Sequence, residues 1–555
     1  MLRSARAAQA AFERARRANL PLSWGRSGGS ARCDERIGRF CFWHDDGEAT
    51  GDPPPEPPRI GQARARLIRT LDSTATLLPG DGWIAGQRVR YLVEDGRAAA
   101  ALDVARACRA SSPSPGWWCD ALAGFALHAA GDFAGAEAAF RAALDAMPAE
   151  KRCRWSDLTL LLDDAAAARY GRLGCAQRQP VEARAWWLAR PLFLLPGNDR
   201  LTEHYARRTM ARLWEDALSA YNLRWGDDQA EIMIRFGWPV RWSEERPEIG
   251  RSLERVIVGH QRTPGFHFLP SARAVNDPTT GDSDDWDLAA ARPRERYAPF
   301  YATAFGTVTH QIARFRRGAS WLVVAAYDLE GDTLFAGRPI EAALALAQDT
   351  REPPVVQHLL RAPRRGVLVA TASGSALLAS VEILARADRR AARARSILRP
   401  AVAATRVSLS DLLVYDPPSP AHPPSSSDSV SGDLDAVIPR VRGSLTVPAG
   451  RRLGLFWELY GVDPGGEVVT FDLAVTRTGG SWLRRATESL GLSAPRAPVR
   501  LQWREVPEWS GPAAGRALTL DLTGVTPGRY RIALTVLAAG QSPTTISREL
   551  LIVGR

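Results

Sequence analysis

Residues 124–148 read GFALHAAGDFAGAEAAFRAALDAMP, and their spacing sets the architecture of the first half of the chain. Gly124, Gly131, Ala136, Phe140, Ala143 and Pro148 fall at offsets 0, 7, 12, 16, 19 and 24. Small residues at this spacing let two helices approach closely, Phe140 fills the gap between them, and Pro148 stops the second helix because it has no N–H to donate. The pattern predicts a helical hairpin. Tyr91, Gly96, Ala101 and Cys108 echo it, with Gly96 and Ala101 placed 35 residues before Gly131 and Ala136. A third, degraded hairpin is expected from Trp155 to Arg184. About three such units are the minimum for a stable stack, so the region is expected to lean on the segment C-terminal to it.

The spacing resembles the tetratricopeptide repeat, which implies helical hairpins over residues 61–185 and a partner segment in their groove. Next come Trp186-Trp187 and Pro191, then Asn198-Asp199, then Glu203, Tyr205 and Arg207 on one helix. Trp225, Asp227 and Asp228 come after these, leading into Glu231 to Phe236 and then Gly237-Trp238-Pro239. These residues resemble the GWxTD domain family over residues 186–300. Arg224 stands where that family has Gly, and Asp227 where it has Thr. The resemblance implies a mixed α/β domain of an exported bacterial protein, with no established activity, in which Trp225, Asp227, Asp228, Gly237 and Pro239 are structural. Glu231 to Phe236 is read as a strand braced by those residues.

From about residue 300 the apolar period becomes two. Val308, His310 and Ile312; Trp321, Val323 and Ala325; Val367 and Val369; Val381 and Ile383; and Val407 and Leu409 each fit a half-buried strand, predicting one antiparallel sandwich over 301–415. Ser373-Gly374-Ser375 reads as a pleat or bulge position, and the cluster Arg389 to Arg395 as a connection between strands. Pro417 to Asp428 is rich in Pro and Ser, predicting a flexible linker over 416–436. Beyond it, Leu455, Trp457 and Leu459, then Val469 to Val475, Leu518 to Leu522 and Tyr530 to Val536 alternate around the turn Pro527-Gly528. Residues 437–555 thus resemble an immunoglobulin-like sandwich. The fold class expected is a multidomain α + β protein.

Seventy-one of the 72 basic residues are arginine and Lys151 is the sole lysine, a usage typical of GC-rich bacterial genomes. The net charge of +11 is therefore weak evidence for a nucleic-acid partner, and lysine chemistry has only Lys151 to draw on. No stretch reaches the roughly 20 apolar residues of a spanning helix. Residues 1–60 read as a prelude: a helix with Arg3, Arg6, Arg14 and Arg17 on one face, then an extended linker from Asp52 to Pro58. Such a helix suits a membrane surface or an ordinary docked position, and no signal peptide is visible. Six cysteines, Cys33, Cys41, Cys108, Cys119, Cys153 and Cys175, lie in the first third. Local disulfides such as Cys33 with Cys41 and Cys108 with Cys119 are expected, with reduced thiols in a cytosolic protein as the alternative.

Two loops carry candidate metal ligands. Asp277, Asp282, Asp284, Asp285 and Asp287 crowd one acidic run that suits Ca²⁺, although the EF-hand spacing fails. His260 and His267 flank Thr263-Pro264-Gly265 and, with Asp227, Asp228 or Glu231, would suit Zn²⁺. Neither spacing is diagnostic, and a solvated loop and structural histidines are the plainer readings. No Gly-x-Ser-x-Gly elbow, phosphate loop or dinucleotide fingerprint occurs. The expectation is a non-catalytic periplasmic or secreted bacterial scaffold that binds a protein partner, without catalytic residues or cofactor. A hydrolase centred on His260, His267 and Asp227, and a cytoplasmic adaptor, are the alternatives.

Overall fold

The computed structural model describes residues 1–23, 34–42, 44, 54–111, 116–245, 256–289, 293–373, 376–399, 407–418, 432–462, 466–478, 499–507 and 513–554. Cys33, Gly374, Ser375 and most of the expected 416–436 linker lie outside them. The chain is a mixed α + β multidomain protein with two compact units, Met1–Phe305 and Gly306–Arg555.

The first unit is built on helices. α1 (Leu2–Ala18) and α2 (Pro58–Leu77) precede α3 (Gly82–Glu94), α4 (Ala98–Ser111), α5 (Trp117–Ala130) and α6 (Phe133–Ala146). α3–α4 and α5–α6 are the hairpins that the glycine spacing calls for. Gly131 closes α5 at φ +81°, and a Cβ on Gly124 would lie 2.8 Å from the Phe140 ring, so only glycine permits that approach. The expected third hairpin is broken up. α7 (Ala149–Ser156) and α8 (Asp164–Gly171) are short, and α9 (Cys175–Ala189) carries Pro180 in its first turns. Disulfides tie the weak points: Cys108–Cys119 joins α4 to α5, and Cys153–Cys175 joins α7 to α9. Cys41 is disulfide-bonded as well.

Residues 1–60 are part of this unit. α1 buries Ala5, Gln9, Phe12, Glu13 and Arg16, and a hairpin of β2 (Glu35–Ile37) and β3 (Phe40–Phe42) comes after it. A small sheet pairs β1 (Leu22–Ser23) with β4 (Arg241–Glu245), which pairs with β5 (Val256–His260). α10 (Asp199–Glu215) and α11 (Asp227–Phe236) complete the unit's centre. The stretch read as a strand is therefore the helix α11. Two carboxylates in its first turn suit a helix start, its apolar residues Met233, Ile234 and Phe236 follow a helical period, and Gly237 at φ +91° ends it.

The second unit follows β6 (Ala304–Gly306). Its strands are β7 (His310–Arg317), β8 (Ser320–Asp328), β9 (Ile340–Ala347), β10 (Val355–Ala362), β11 (Arg365–Ser373), β12 (Leu377–Ala385) and β13 (Arg390–Leu398). They form two sheets, β10-β9-β12-β13 and β11-β8-β7, facing each other across one apolar core. β9 and β12 are buried along nearly their whole length, which hides the two-residue period that would have announced β9. The arginine cluster read as a connection is β13, where Arg393 and Arg395 alternate with Ala392 and Ala394 and both arginines are buried.

The second core lies between β14 (Ser408–Leu409), β15 (Leu413–Tyr415), β17 (Arg452–Tyr460) and β20 (Ala514–Asp521) on one side and a five-stranded sheet on the other. That sheet runs β16 (Thr446–Pro448), β22 (Thr544–Val553), β21 (Gly528–Ala538), β18 (Val469–Thr478) and β19 (Val499–Glu505). Strands expected to end the first sandwich, from Val407 to Tyr415, thus belong to the second, because Val407, Leu409, Leu412 and Val414 bury in its core. The Pro/Ser-rich stretch does not separate the sandwiches. The chain leaves at Asp416 and returns at Arg440, whose carbonyl accepts a hydrogen bond from the Asp416 N–H (2.9 Å), while Arg442 pairs with Asp416 (2.5 Å). Leu413, Tyr415, Ala313, Phe315, Val324 and Phe456 close a small core of their own.

The disulfide loops span 11 and 22 residues, so each cross-link is expected to contribute about 3 kcal/mol through the unfolded chain. Replacing Cys153 and Cys175 together by Ser should lower the unfolding free energy of the helical transition, followed at 222 nm in urea, by that amount and so lower its midpoint. An unchanged midpoint would show that the bond does not constrain the unfolded chain.

Candidate functional site

Asn198 starts α10 by accepting the Leu201 N–H (3.1 Å) and donating to the Trp186 carbonyl (2.8 Å). The helix then lies against α3, α5 and α6. α3 meets its last turns: Gln87 donates to the Leu213 carbonyl (3.0 Å), Arg90 stacks over Trp214 (5.1 Å), and a Cβ on Gly86 would fall 2.6 Å from Leu213. α5 meets its first turns through His128, and the Phe140 ring of α6 packs on Tyr205 (5.6 Å). The hairpins therefore hold a helix of their own chain.

That helix is unusually charged for its burial: Asp199, Arg200, Glu203 and Arg207 are all inside. Each finds a partner. Arg200 grips Glu295 Oε2 through Nε (3.1 Å) and Nη2 (2.8 Å), and neither residue reaches solvent. Glu295 Oε1 accepts from His267 Nδ1 (3.1 Å) and from the N–H groups of Phe268 (3.0 Å) and Leu269 (3.2 Å). Glu203 lies between Arg207 Nε (2.7 Å) and His128 Nε2 (2.8 Å). Arg207 also donates to the carbonyls of Ile234, Arg235 and Arg296, capping the C-terminal end of α11. Tyr301 donates to Asp199 (3.0 Å).

Burial alone would raise both glutamates. The Arg200 charge and the His267 hydrogen bond instead hold Glu295 well below the usual carboxylate range, and Arg207 and His128 do the same for Glu203. His267 is the reverse: burial opposes its charge, but the hydrogen bond and charge of Glu295 prevail and raise it.

The motif residues around α11 dock the N-terminal hairpin. Asp228 takes Arg39 Nε (2.6 Å) and Nη2 (2.7 Å) and the Arg39 N–H (3.1 Å). Arg235 reaches both carboxylate oxygens of Glu35 (2.6 and 2.9 Å), and Phe42 stacks on Phe236 at 3.9 Å. Trp225 packs edge-on to Trp214 (6.2 Å), and Asp227 is exposed. A Cβ on Gly259 would meet Pro239 at 2.6 Å, which fixes the pair at close contact.

The histidines are not drawn to one point. His260 on β5 bonds Ser243 Oγ (2.7 Å), and burial lowers its pKa, whereas His267 faces Glu295. The acidic run is held by local contacts, one arginine and several turn hydrogen bonds. Arg273 Nη2 bridges Asp282 (2.5 Å) and Asp285 (3.1 Å), while Asp277, Asp282 and Asp287 accept the N–H groups of Thr279, Asp284 and Ala289. Ser283 Oγ donates to Asp284 (3.3 Å). Among the described residues no group of three or more His, Cys, Asp or Glu is placed to hold a metal ion. A cavity of about 190 Å³ opens between α2, α3 and α4, and its charged lining is already engaged, Arg88 by Asp72 and Asp81 by the start of α3.

Sequence reasoning missed Arg200, Glu295 and His128. The four-residue step from Glu203 to Arg207 was visible as an ion-pair spacing, but Glu295 lies 95 residues from Arg200, beyond any local pattern.

No family model and no curated protein matches the chain. Among solved structures, the FN1-FN3 domains of chicken CNTN1 share 9% identity over 46% of this chain and 70% of theirs, with a TM-score of 0.16. A red sea bream transglutaminase shares 8% over 60% of this chain and 43% of its own, with a TM-score of 0.15. Neither superposition is close enough to bear on fold or function.

Replacing Glu295 by Ala strands the Arg200 guanidinium and should destabilise the first unit by about 3–5 kcal/mol in urea. The pH dependence has two signs. Glu203 and Glu295 contribute fully above about pH 4.3, the free glutamate value, and their contribution is lost as pH falls through their depressed folded values. His267 contributes fully below 6.5 and loses its contribution as pH rises through its raised value. The His267→Gln variant should therefore flatten the alkaline limb of the urea midpoint against pH, while the acid limb persists through Arg200 on Glu295 and through Glu203.

Proposed function

We propose that this chain is a non-catalytic scaffold of the bacterial envelope, periplasmic or secreted. In it, tetratricopeptide-like hairpins brace a GWxTD-like centre, and the β-sandwiches, the second of them immunoglobulin-like, face a protein partner. The observation that carries this reading is the seating of α10 across α3, α5 and α6. The groove such hairpins offer a partner is taken by a helix of the same chain, so partner binding passes to the sandwiches. This revises the expectation of a partner segment held in that groove.

Two further observations support the parts. Tyr530 at the start of β21 donates to the Thr526 carbonyl (2.8 Å), pinning the turn at Pro527-Gly528 as the tyrosine corner does in immunoglobulin-like domains. The disulfides Cys108–Cys119 and Cys153–Cys175 suit an oxidising compartment. The hydrolase reading needs His260, His267 and Asp227 to converge, and they instead meet Ser243, Glu295 and solvent.

The test is the thiol state of the protein in its own host, trapped with acid, alkylated without reductant and counted by mass. The scaffold reading expects every cysteine blocked. Six alkylated cysteines would place the chain in a reducing compartment and favour the cytoplasmic adaptor.

A further inference from the structure

β10 ends the sheet β10-β9-β12-β13, and among the described residues only β9 pairs with its backbone. The long edges of the facing sheet are covered. On β7 the Arg314 carbonyl accepts the Asp411 N–H (3.2 Å), the Arg314 N–H goes to the Asp411 carboxylate (2.9 Å), and Arg548 Nη2 donates to the Ile312 carbonyl (2.9 Å). On β11 the Val369 N–H is taken by the Gln357 side chain of β10. The edge of β10 itself stays open, and it carries apolar side chains where a protected edge carries charge. Val355 is 46% exposed, Val356 36% and Leu360 72%, the highest value of any large apolar residue described.

The strand is bounded at both ends and complementary to itself. Pro353-Pro354 precede it and Pro363 follows, and proline has no N–H with which to extend a ladder. A bulge after Leu359 ends the regular pairing with β9. Within these limits Val355, Gln357 and Leu359 stand opposite Leu346, Leu344 and Ala342 of the core and face inward, while Val356 and His358 face outward. The regular stretch, residues 355–359, is centred on Gln357. Antiparallel pairing with a copy of itself about a two-fold axis at Gln357 sets Val355 beside Leu359 of the second copy, both on the core side. In the same register Arg361 falls opposite Pro353 of the second copy and so next to its Glu352, and symmetry repeats the contact. Both charged residues are exposed, and among the described residues Arg361 has no carboxylate partner and Glu352 no cationic one.

We propose that the open edge of β10 pairs with β10 of a second copy of this chain, joining two sheets into one. Charge complementarity selects the second copy as occupant: the acidic end of one strand lies beside the basic end of the other, and the apolar positions answer each other between them. The two-fold axis uses up both edges, so assembly closes at two copies. The bulge and the flanking prolines keep the paired stretch short and stop it from growing into an open-ended sheet. The surface is one that the scaffold reading leaves unassigned, and a monomeric chain would leave that reading standing.

The test is sedimentation velocity of the full chain over about a hundredfold range of micromolar concentration. Wild type should pass from monomer to dimer as concentration rises. Val356→Lys together with Leu360→Lys lines the seam with like charge and should weaken the dimer roughly tenfold or more. Arg361→Glu alone and Glu352→Arg alone should each weaken it roughly tenfold, and the two combined should restore it, because the pair is rebuilt with its signs exchanged. These side chains are exposed, and an unchanged far-UV spectrum certifies that each variant is folded. A monomer at every concentration, a dimer that survives the lysines, or single reversals that the double variant does not rescue would each overturn the proposal.

Discussion

An ionised side chain brought into a protein interior loses hydration worth several kcal/mol, and α10 brings four inside together. That cost is offset by Glu295 for Arg200, by Arg207 for Glu203 and the reverse, and by the Tyr301 hydroxyl for Asp199. Glu295 must come to Arg200, His128 must reach Glu203 from α5, and α11 must offer its last carbonyls to Arg207. Separate stretches of chain are placed by this one requirement. The hairpins, the acidic partner at 295 and the end of α11 cannot be rearranged independently, since moving any of them exposes an unpaired charge to an apolar surround.

Arginine is the cation that allows this. Its guanidinium stays charged under all protein conditions and offers five donors in a fixed plane, so one side chain serves a carboxylate and several carbonyls at once, as Arg207 does. The same composition that made the net charge uninformative supplied the fork geometry on which the interior depends. Arg16 and Arg90 repeat the device at the junction of α1 with α3, where Glu13 and Glu94 answer them. The sole lysine, Lys151, is spent on the face of Trp117 (4.4 Å).

How much of this could be read in advance depended on the range of the interaction. Gly124, Gly131 and Phe140 made the α5–α6 hairpin legible because close helix approach leaves a local signature. Half-buried strands such as β18, with Val469, Phe471 and Leu473 inward, were legible through their period of two. β9 was not, since Ala342 to Ala347 are buried on both faces. α11 reads as a strand only when a family resemblance outweighs two acidic residues at a helix start. His260 and His267 pair on sequence proximity, yet their partners, Ser243 and Glu295, lie 17 and 28 residues away in opposite directions. The role of Asp228 was invisible for the same reason, its arginine being 189 residues distant.

The closed base at Asp416 and Arg440 gives the second unit an unusual freedom. Asp416 and Arg440 meet at one hydrogen-bonded point, and just before Arg440 the returning chain seats Leu434 and Val437 in the small core with Leu413, Tyr415 and Phe456. Doubling the length of such an excursion costs only about 0.6 kcal/mol in closure entropy. A change of length that leaves Asp416, Leu434, Val437 and Arg440 in place therefore costs little, and the strands on either side keep their register.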